Sequence, residues 1–346
     1  MDTVSQITLG AAVGELALGK KVGNKAMLWG GVVGTIPDLD VVFNRFLDDA
    51  SSVALHRGFS HSILFAIILA PILAYLICKI HGERKATRKD WIYLVFWATL
   101  THPLLDCFTT YGTQLFNPFS TYPVSFSTIS VIDPLYTIPF FVCVILAMFF
   151  RRTPPRRRLI TLVGLSVSSL YLCLTIVNKL YVTSVFEDSL RRQGIAFSRI
   201  FTGPTLFNNI LWHCVAEGQD QFWEGYYSLL DADHDIRFYP VAKNHELIEP
   251  YRDDLPVTRL IRFTKGYYAA AEDSGDVIIN DLRYGRANGW VNPQADFVFS
   301  FSINPEASVP RGDLDIQRKV PNFQVNAKTW EQFVERIKGK ESYYTY

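Results

Sequence analysis

The 346 residues exceed one small domain, and 49% of them are hydrophobic. The net charge of +1 hides a split: residues 1–180 hold 16 Lys and Arg against 10 Asp and Glu, while residues 181–346 hold 18 against 23. No basic stripe interleaved with aromatics occurs, which excludes a nucleic-acid partner, and the five cysteines form neither a CxxC pair nor a disulfide framework.

The chain opens on Met1-Asp-Thr-Val-Ser-Gln, without the positive region of a cleaved signal peptide. Residues 4–18 and 26–36 are apolar and rich in small residues, with Gly10 and Gly14, then Gly30 and Gly34, four apart. That spacing lets helix backbones approach closely, and it predicts a packed membrane hairpin, spanning or re-entrant. Residues 59–78 are uncharged apart from His61 and long enough, at roughly 30 Å, for one bilayer core. Residues 91–107, 131–150 and 159–178 follow, giving about four long spans in all. Five Lys and Arg fall in loop 79–90 and five more in 151–158, whereas loop 108–130 has none. The positive-inside rule puts the two basic loops in the cytoplasm and loop 108–130 outside, so residues 181–346 emerge extracytoplasmically.

That second half reads as a soluble, mixed and mainly β domain. An amphipathic helix is predicted over 185–198, and a hairpin over 208–217 and 221–230 around Gly218-Gln-Asp220. Further strands are predicted over 235–240, 266–271, 275–281 and 297–303, with a closing helix over 329–338. The fold class is therefore an α-helical membrane bundle over 1–180, with its short N-terminal hairpin, followed by an extracytoplasmic mainly β domain over 181–346.

Three clusters carry ionisable groups where apolar spans begin or end: Asp38 and Asp40 in Pro-Asp-Leu-Asp, His56 and His61 around Arg57, and His102 with Asp106. Asp133-Pro134 is a weaker fourth. The topology drawn from Lys and Arg alone delivers all four to the outer boundary. His102 and Asp106, four apart, share one helix face. Mixed His and Asp groups suit a divalent transition metal, zinc first with manganese or iron as alternatives. Six groups exceed the needs of one tetrahedral ion, so one or two ions fit the count. Arg57 lies where a guanidinium could hold an anionic substrate group, and Asp133 or Asp40 is available as a base. Bland readings stand beside these: turn residues for Asp38 and Asp40, a helix N-cap for Asp133, and a snorkelling anchor for Arg57. In the second half, Asp231-Ala-Asp233-His234-Asp235 reads as a solvated turn and Asp281 with Arg283 as a structural ion pair.

The order P-D-L-D, H-R-G-F-S-H-S, H-P-L-L-D-x-x-T-x-Y-G and D-P resembles the YdjM-like family of membrane-bound, metal-dependent hydrolases. The match is clearest over residues 1–150. The family usually has Thr where this chain has Ser60, a change that keeps the hydroxyl. The resemblance implies a bacterial cytoplasmic-membrane protein with ligands among Asp38, Asp40, His56, His61, His102 and Asp106. A site at headgroup depth makes membrane lipids the expected partners and a lipid or lipid-linked ester, phosphoester favoured, the expected substrate. An ion- or proton-coupled transporter and a non-catalytic membrane anchor with a binding domain are the alternatives. The sequence does not give the oligomeric state.

Overall fold

A computed structural model describes residues 1–46, 48–82, 85–150, 155–308, 314–323 and 325–340. Arg84, Arg151 and Arg152, counted above for orientation, lie outside the described residues. The chain divides into two compact units, Met1–Val42 with Leu55–Ile176 and Phe43–Ala54 with Val177–Tyr346.

The first unit is helical. Helices α1 (Thr3–Val22) and α2 (Asn24–Gly34) form the predicted close hairpin. Side chains at Gly10, Gly14 or Gly30 would collide with backbone atoms of the facing helix, so the small residues set the approach. A run of 3-10 turns covers Ile36–Phe46, and α3 (Asp49–Leu55) follows. Then come α4 (Ile63–His81), α5 (Arg88–Asp106), α6 (Pro134–Phe149) and α7 (Pro155–Arg192). One core joins Leu18, Ala26 and Val33 to Ala74, Ile77, Trp91 and Leu94. A second joins Leu9, Met27 and Leu105 to Tyr136, Phe140 and Val144.

Among the described residues, two helices, α4 and α7, are long and apolar enough to cross a membrane, not the four predicted. The reasons are local. Asp133 and Pro134 start α6 late, leaving it 16 residues. Helix α5 has the length, at 19 residues, but Arg88, Lys89 and Asp90 fill its first turn and Asp106 its last. Outward-facing Ile67, Ile72 and Leu76 on α4, and Leu159, Val163, Val167, Leu170 and Leu174 on α7, are exposed. An apolar surface of that extent belongs against hydrocarbon rather than water. At the basic end of the bundle, Arg157 is buried on Glu15 and donates to Asn24 Oδ1 at 2.5 Å, pinning the start of α7 to α1 and α2.

The amphipathic helix predicted over 185–198 is not a separate element. Helix α7 runs unbroken for 38 residues, roughly 57 Å, to Arg192. Its final turns carry Val182, Val185, Phe186 and Leu190 into a core with Trp212, Cys214 and Tyr227. Exposed apolar surface thus gives way to core packing along one continuous helix.

The second unit holds two antiparallel sheets. The first comprises β1 (Arg199–Pro204), β2 (Leu211–Glu217), β3 (Gln221–Ser228) and β4 (Phe238–Ala242), in that order. The predicted hairpin is β2–β3, closed by Gly218 N donating to Gln221 O at 2.8 Å. The second sheet runs β5 (Tyr268–Asp273), β6 (Asp276–Asp281), β7 (Ser300–Ser308) and β8 (Leu314–Lys319). Helix α8 (Leu255–Phe263) packs Val257 and Leu260 on its core, and α9 (Ala327–Ile337) is the expected closing helix. Strands β1 and β8 and helix α8 were not anticipated. Ala50, from the Phe43–Ala54 stretch, is fully buried in this second core. Asp49 accepts from Arg318 N at 2.7 Å and Ser51 from Arg259 at 2.6 Å.

Candidate metal centre

Four side chains from three separated stretches converge in the first unit: Asp38, His61, His102 and Asp106. Each offers one ligand atom, and these atoms lie within 4.8 Å of one another. His61 Nε2 and His102 Nε2 face each other at 3.2 Å. Asp38 Oδ1 is 3.3 Å from both, and Asp106 Oδ2 is 3.5 Å from both. Metal–ligand bonds of about 2.0–2.1 Å put the corners of a tetrahedron roughly 3.3–3.4 Å apart. Five of its six edges therefore match, within about 0.2 Å, the spacing a transition metal imposes. His61, His102 and Asp106 are fully buried, while the Asp38 side chain is 28% exposed and faces outward.

Tautomers and lone pairs agree with this fit. His102 Nδ1 lies 2.5 Å from Gly34 O, which can only accept, so Nδ1 carries the proton and Nε2 a lone pair. Ser60 donates to Asp40 Oδ2 at 2.8 Å, so its oxygen accepts from His61 Nδ1 at 3.0 Å. That again leaves Nε2 bare. Asp106 Oδ2 is buried without a hydrogen-bond donor. Arg57 Nε approaches it to 3.2 Å, close enough to pair as charges but out of line for a hydrogen bond. Two facing lone pairs and an orphaned carboxylate oxygen are expensive in a dry site unless a cation lies between them.

The other predicted residues take different places. Asp40 and His56 stand one layer out. His56 Nδ1 lies 2.9 Å from Asp40 Oδ1, and Asp40 is linked through Ser60 to His61. Burial pushes the Asp40 carboxyl up, but the His56 hydrogen bond and charge attraction outweigh it and hold Asp40 below its ordinary range. The described residues thus bring together ligands for one ion, with Asp40 and His56 orienting a ligand instead of joining a second site. Arg57 is buried, donates to Thr109 Oγ1 at 2.7 Å and lies 5.0 Å over the Tyr111 ring. Its guanidinium is held by Asp106 and Thr109, where it neutralises a candidate ligand. Its backbone sits at φ 61°, a left-handed conformation unusual for a non-glycine residue and typical of strained functional loops. Asp133 is the N-cap of α6: it accepts from Leu135 N at 3.0 Å, Tyr136 N at 3.3 Å and Tyr171 Oη at 2.9 Å. That is the bland reading of Asp133, and the structure gives its carboxylate no contact with the four ligands. The acidic turn is also ordinary, with Asp231 paired to buried Arg336 and Asp233 accepting from Asp235 N. Asp281 and Arg283 form the expected buried ion pair at 2.6 Å.

Two participants escaped sequence reasoning. Gln6 donates to Asp106 Oδ1 at 2.9 Å and to His102 O at 3.3 Å. Gly34 acts through its carbonyl. An uncharged amide and a main-chain oxygen leave no signal in hydropathy or charge, although the glycine spacing did place α2 against α1.

Two long apolar helices and a two-histidine, two-aspartate cluster with three of its members buried define a membrane protein with a candidate metal centre. The chain belongs to the YdjM inner membrane protein family, which matches residues 1–196. Over 151 residues it is 32% identical to "Uncharacterized protein YfhP" of Bacillus subtilis, covering 40% of this chain and 43% of that protein. Over 98 residues it is 36% identical to "Inner membrane protein YbcI" of Escherichia coli, covering 28% of this chain and 55% of that protein. The chain thus spans about half the length of the curated relatives it matches. No solved structure matches it.

Proposed function

We propose that this protein is a membrane-embedded, metal-dependent hydrolase that acts on a lipid or lipid-linked ester, phosphoester before acyl ester. The observation that carries the reading is the near-tetrahedral set of His61 Nε2, His102 Nε2, Asp38 Oδ1 and Asp106 Oδ2. A divalent ion held there, zinc first, would polarise a phosphoryl or acyl oxygen and acidify water. The chain's own residues prepare the site. Gly34 O and the Asp40–Ser60 pair fix the two imidazoles with their bare nitrogens inward, and Arg57 holds and neutralises Asp106. Asp38 is the exposed member, so it can leave the cation for a substrate or accept a proton. Absence of a G-x-S-x-G nucleophile elbow supports the phosphoester preference.

The outer face is the proposed location, on the charge asymmetry of the loops. Loop 108–130 supports it: Phe116, Phe119, Tyr122 and Phe126 are exposed, as befits an interface-resting loop. Tyr111 instead packs edge-on against His56.

One observation favours a second reading. Four protein ligands fill a tetrahedron, as structural sites do, whereas catalytic sites keep a position open. On that reading the ion stabilises an anchor and catalyses nothing. Asp38→Asn separates the two. Under the hydrolase reading the variant keeps metal through the three buried ligands and loses metal-dependent release of products from membrane lipids, followed by mass spectrometry. Wild-type protein that releases nothing, loaded in turn with Zn²⁺, Mn²⁺ and Fe²⁺, would sink the catalytic reading.

A further inference from the structure

An apolar cleft of about 360 Å³ runs between α1, α2 and α6 within the first unit. Its floor is made by small residues, Ala11 and Gly31, and its walls by Leu28, Val32, Phe141 and Ile145 among others. Leu28 to Thr35 extends along the cleft for about 10 Å. The two hydroxyls on its lining, Thr8 and Thr35, are turned back to their own helix carbonyls, Val4 O at 2.7 Å and Val32 O at 2.8 Å. The cleft therefore offers an occupant no free hydroxyl donor.

Its upper end is continuous with the metal centre through the chain. Ile7 and Thr35 line the cleft, and each directly follows a residue of the centre: Gln6 bonds Asp106, and Gly34 bonds His102. We propose that this cleft is the substrate's acyl-chain channel: it holds one hydrocarbon chain of the lipid whose headgroup lies at the cluster. The proposal rests on the hydrolase reading for the headgroup end, and on the cleft alone for the chain end. Ordinary lipid-facing surface is convex, whereas Gly31 makes this one concave, since a side chain there would meet Ile7 and Ala11. The depression fits one flexible apolar chain and would exclude a polar ligand, whose groups would go unpaired.

The test uses the full chain in nanodiscs containing a phospholipid with a photoactivatable diazirine in its acyl chain. After irradiation, peptide mapping should find labels concentrated at Leu28, Val32 and Ile145. Leu170 on α7 and Ile72 on α4, which are also exposed but outside the cleft, serve as controls. Val32→Trp and Ile145→Trp, which fill the cleft, should cut labelling there and lower the ratio of long-chain to short-chain turnover by about tenfold, the scale of apolar pocket discrimination. Retained metal content shows that each variant still folds its centre. Labelling no denser in the cleft than at Leu170 and Ile72 would overturn the proposal, since bulk lipid alone explains it. Dense labelling without metal-dependent cleavage would instead sink the hydrolase reading and leave a lipid site. Cleavage without dense labelling would sink the channel and leave the hydrolase.

Discussion

Residues 38–106 and residues 231–235 are both rich in Asp and His, and only the first becomes a site. In the turn, Asp231, Asp233, His234 and Asp235 are packed into five positions, yet their side chains disperse. Asp231 serves Arg336, Asp233 serves a turn N–H, and His234 lies 3.3 Å from the Tyr181 hydroxyl. In the first unit the candidates are up to 68 positions apart and come from three elements, and their ligand atoms meet at one point with three of the four residues buried. Local density of ligating residue types is thus a poor guide. Delivery from separate elements to one buried point is a good one, because each buried polar atom then needs a partner that local chain cannot provide.

The comparison yields graded expectations. The largest effect belongs to His61→Ala, His102→Ala and Asp106→Ala, each of which removes a buried corner of the tetrahedron. Metal content by elemental analysis of purified protein should fall close to zero, and full occupancy in all three would break the comparison outright. Asp40→Asn and His56→Ala act through His61. Loss of such orienting partners typically weakens metal affinity by about 10–100-fold, and competition with a chelator of known affinity would measure it. Unchanged affinity would mean that the Asp40–Ser60 pair does not orient the imidazole.

In the turn, Asp231→Ala strips Arg336 of its carboxylate partner. It should cost about 3 kcal/mol of stability, seen as a lower thermal midpoint, while metal content stays unchanged. A pH effect comes next, from Glu217 in the second unit. Burial raises its carboxyl, but hydrogen bonds from Lys243 and Arg199 outweigh burial and leave it below its ordinary 4.5. A depressed acid stabilises the fold above its ordinary value and loses that contribution as pH falls through its lowered value. Glu217→Gln should therefore flatten acid destabilisation below pH 4.5, by about 1 kcal/mol or less for a partly exposed pair. An unchanged acid profile would show that the pair contributes nothing. The smallest effects belong to Asp233→Ala and His234→Ala, within about 0.5 kcal/mol in stability and without change in metal. Any metal loss there would restore the turn as a rival site.

Much of this was legible because lipid and water leave different signatures. Long uncharged runs marked α4 and α7, the Gly218-Gln-Asp220 turn marked the β2–β3 hairpin, and alternation marked β7. Ionisable residues at the ends of apolar runs pointed to Asp38, His61, His102 and Asp106. The division of labour among them was not legible. Nothing in the spacing says that Asp40 would turn to His56 and Ser60 instead of the cluster, or that Arg57 would be held by Asp106 and Thr109. Those outcomes depend on loop geometry, including the left-handed backbone at Arg57. Span count failed where charge at the helix ends trims an apolar stretch, and the helix over 185–198 failed because a helix can pass from lipid to protein core without a break.

The packing of Phe43–Ala54 with the second unit has a consequence for the order of events during synthesis. Asp38 and His61, on either side of this segment, are translated well before the partners of the segment between them: Arg259 is 208 residues beyond Ser51, and Arg318 is 269 beyond Asp49. The segment joining the ligands therefore has no place to settle until the last strands have left the ribosome. Chains arrested at increasing lengths should keep residues 43–54 open to protease until β8 emerges, so the earliest-made connection of the centre is also among the last to be secured.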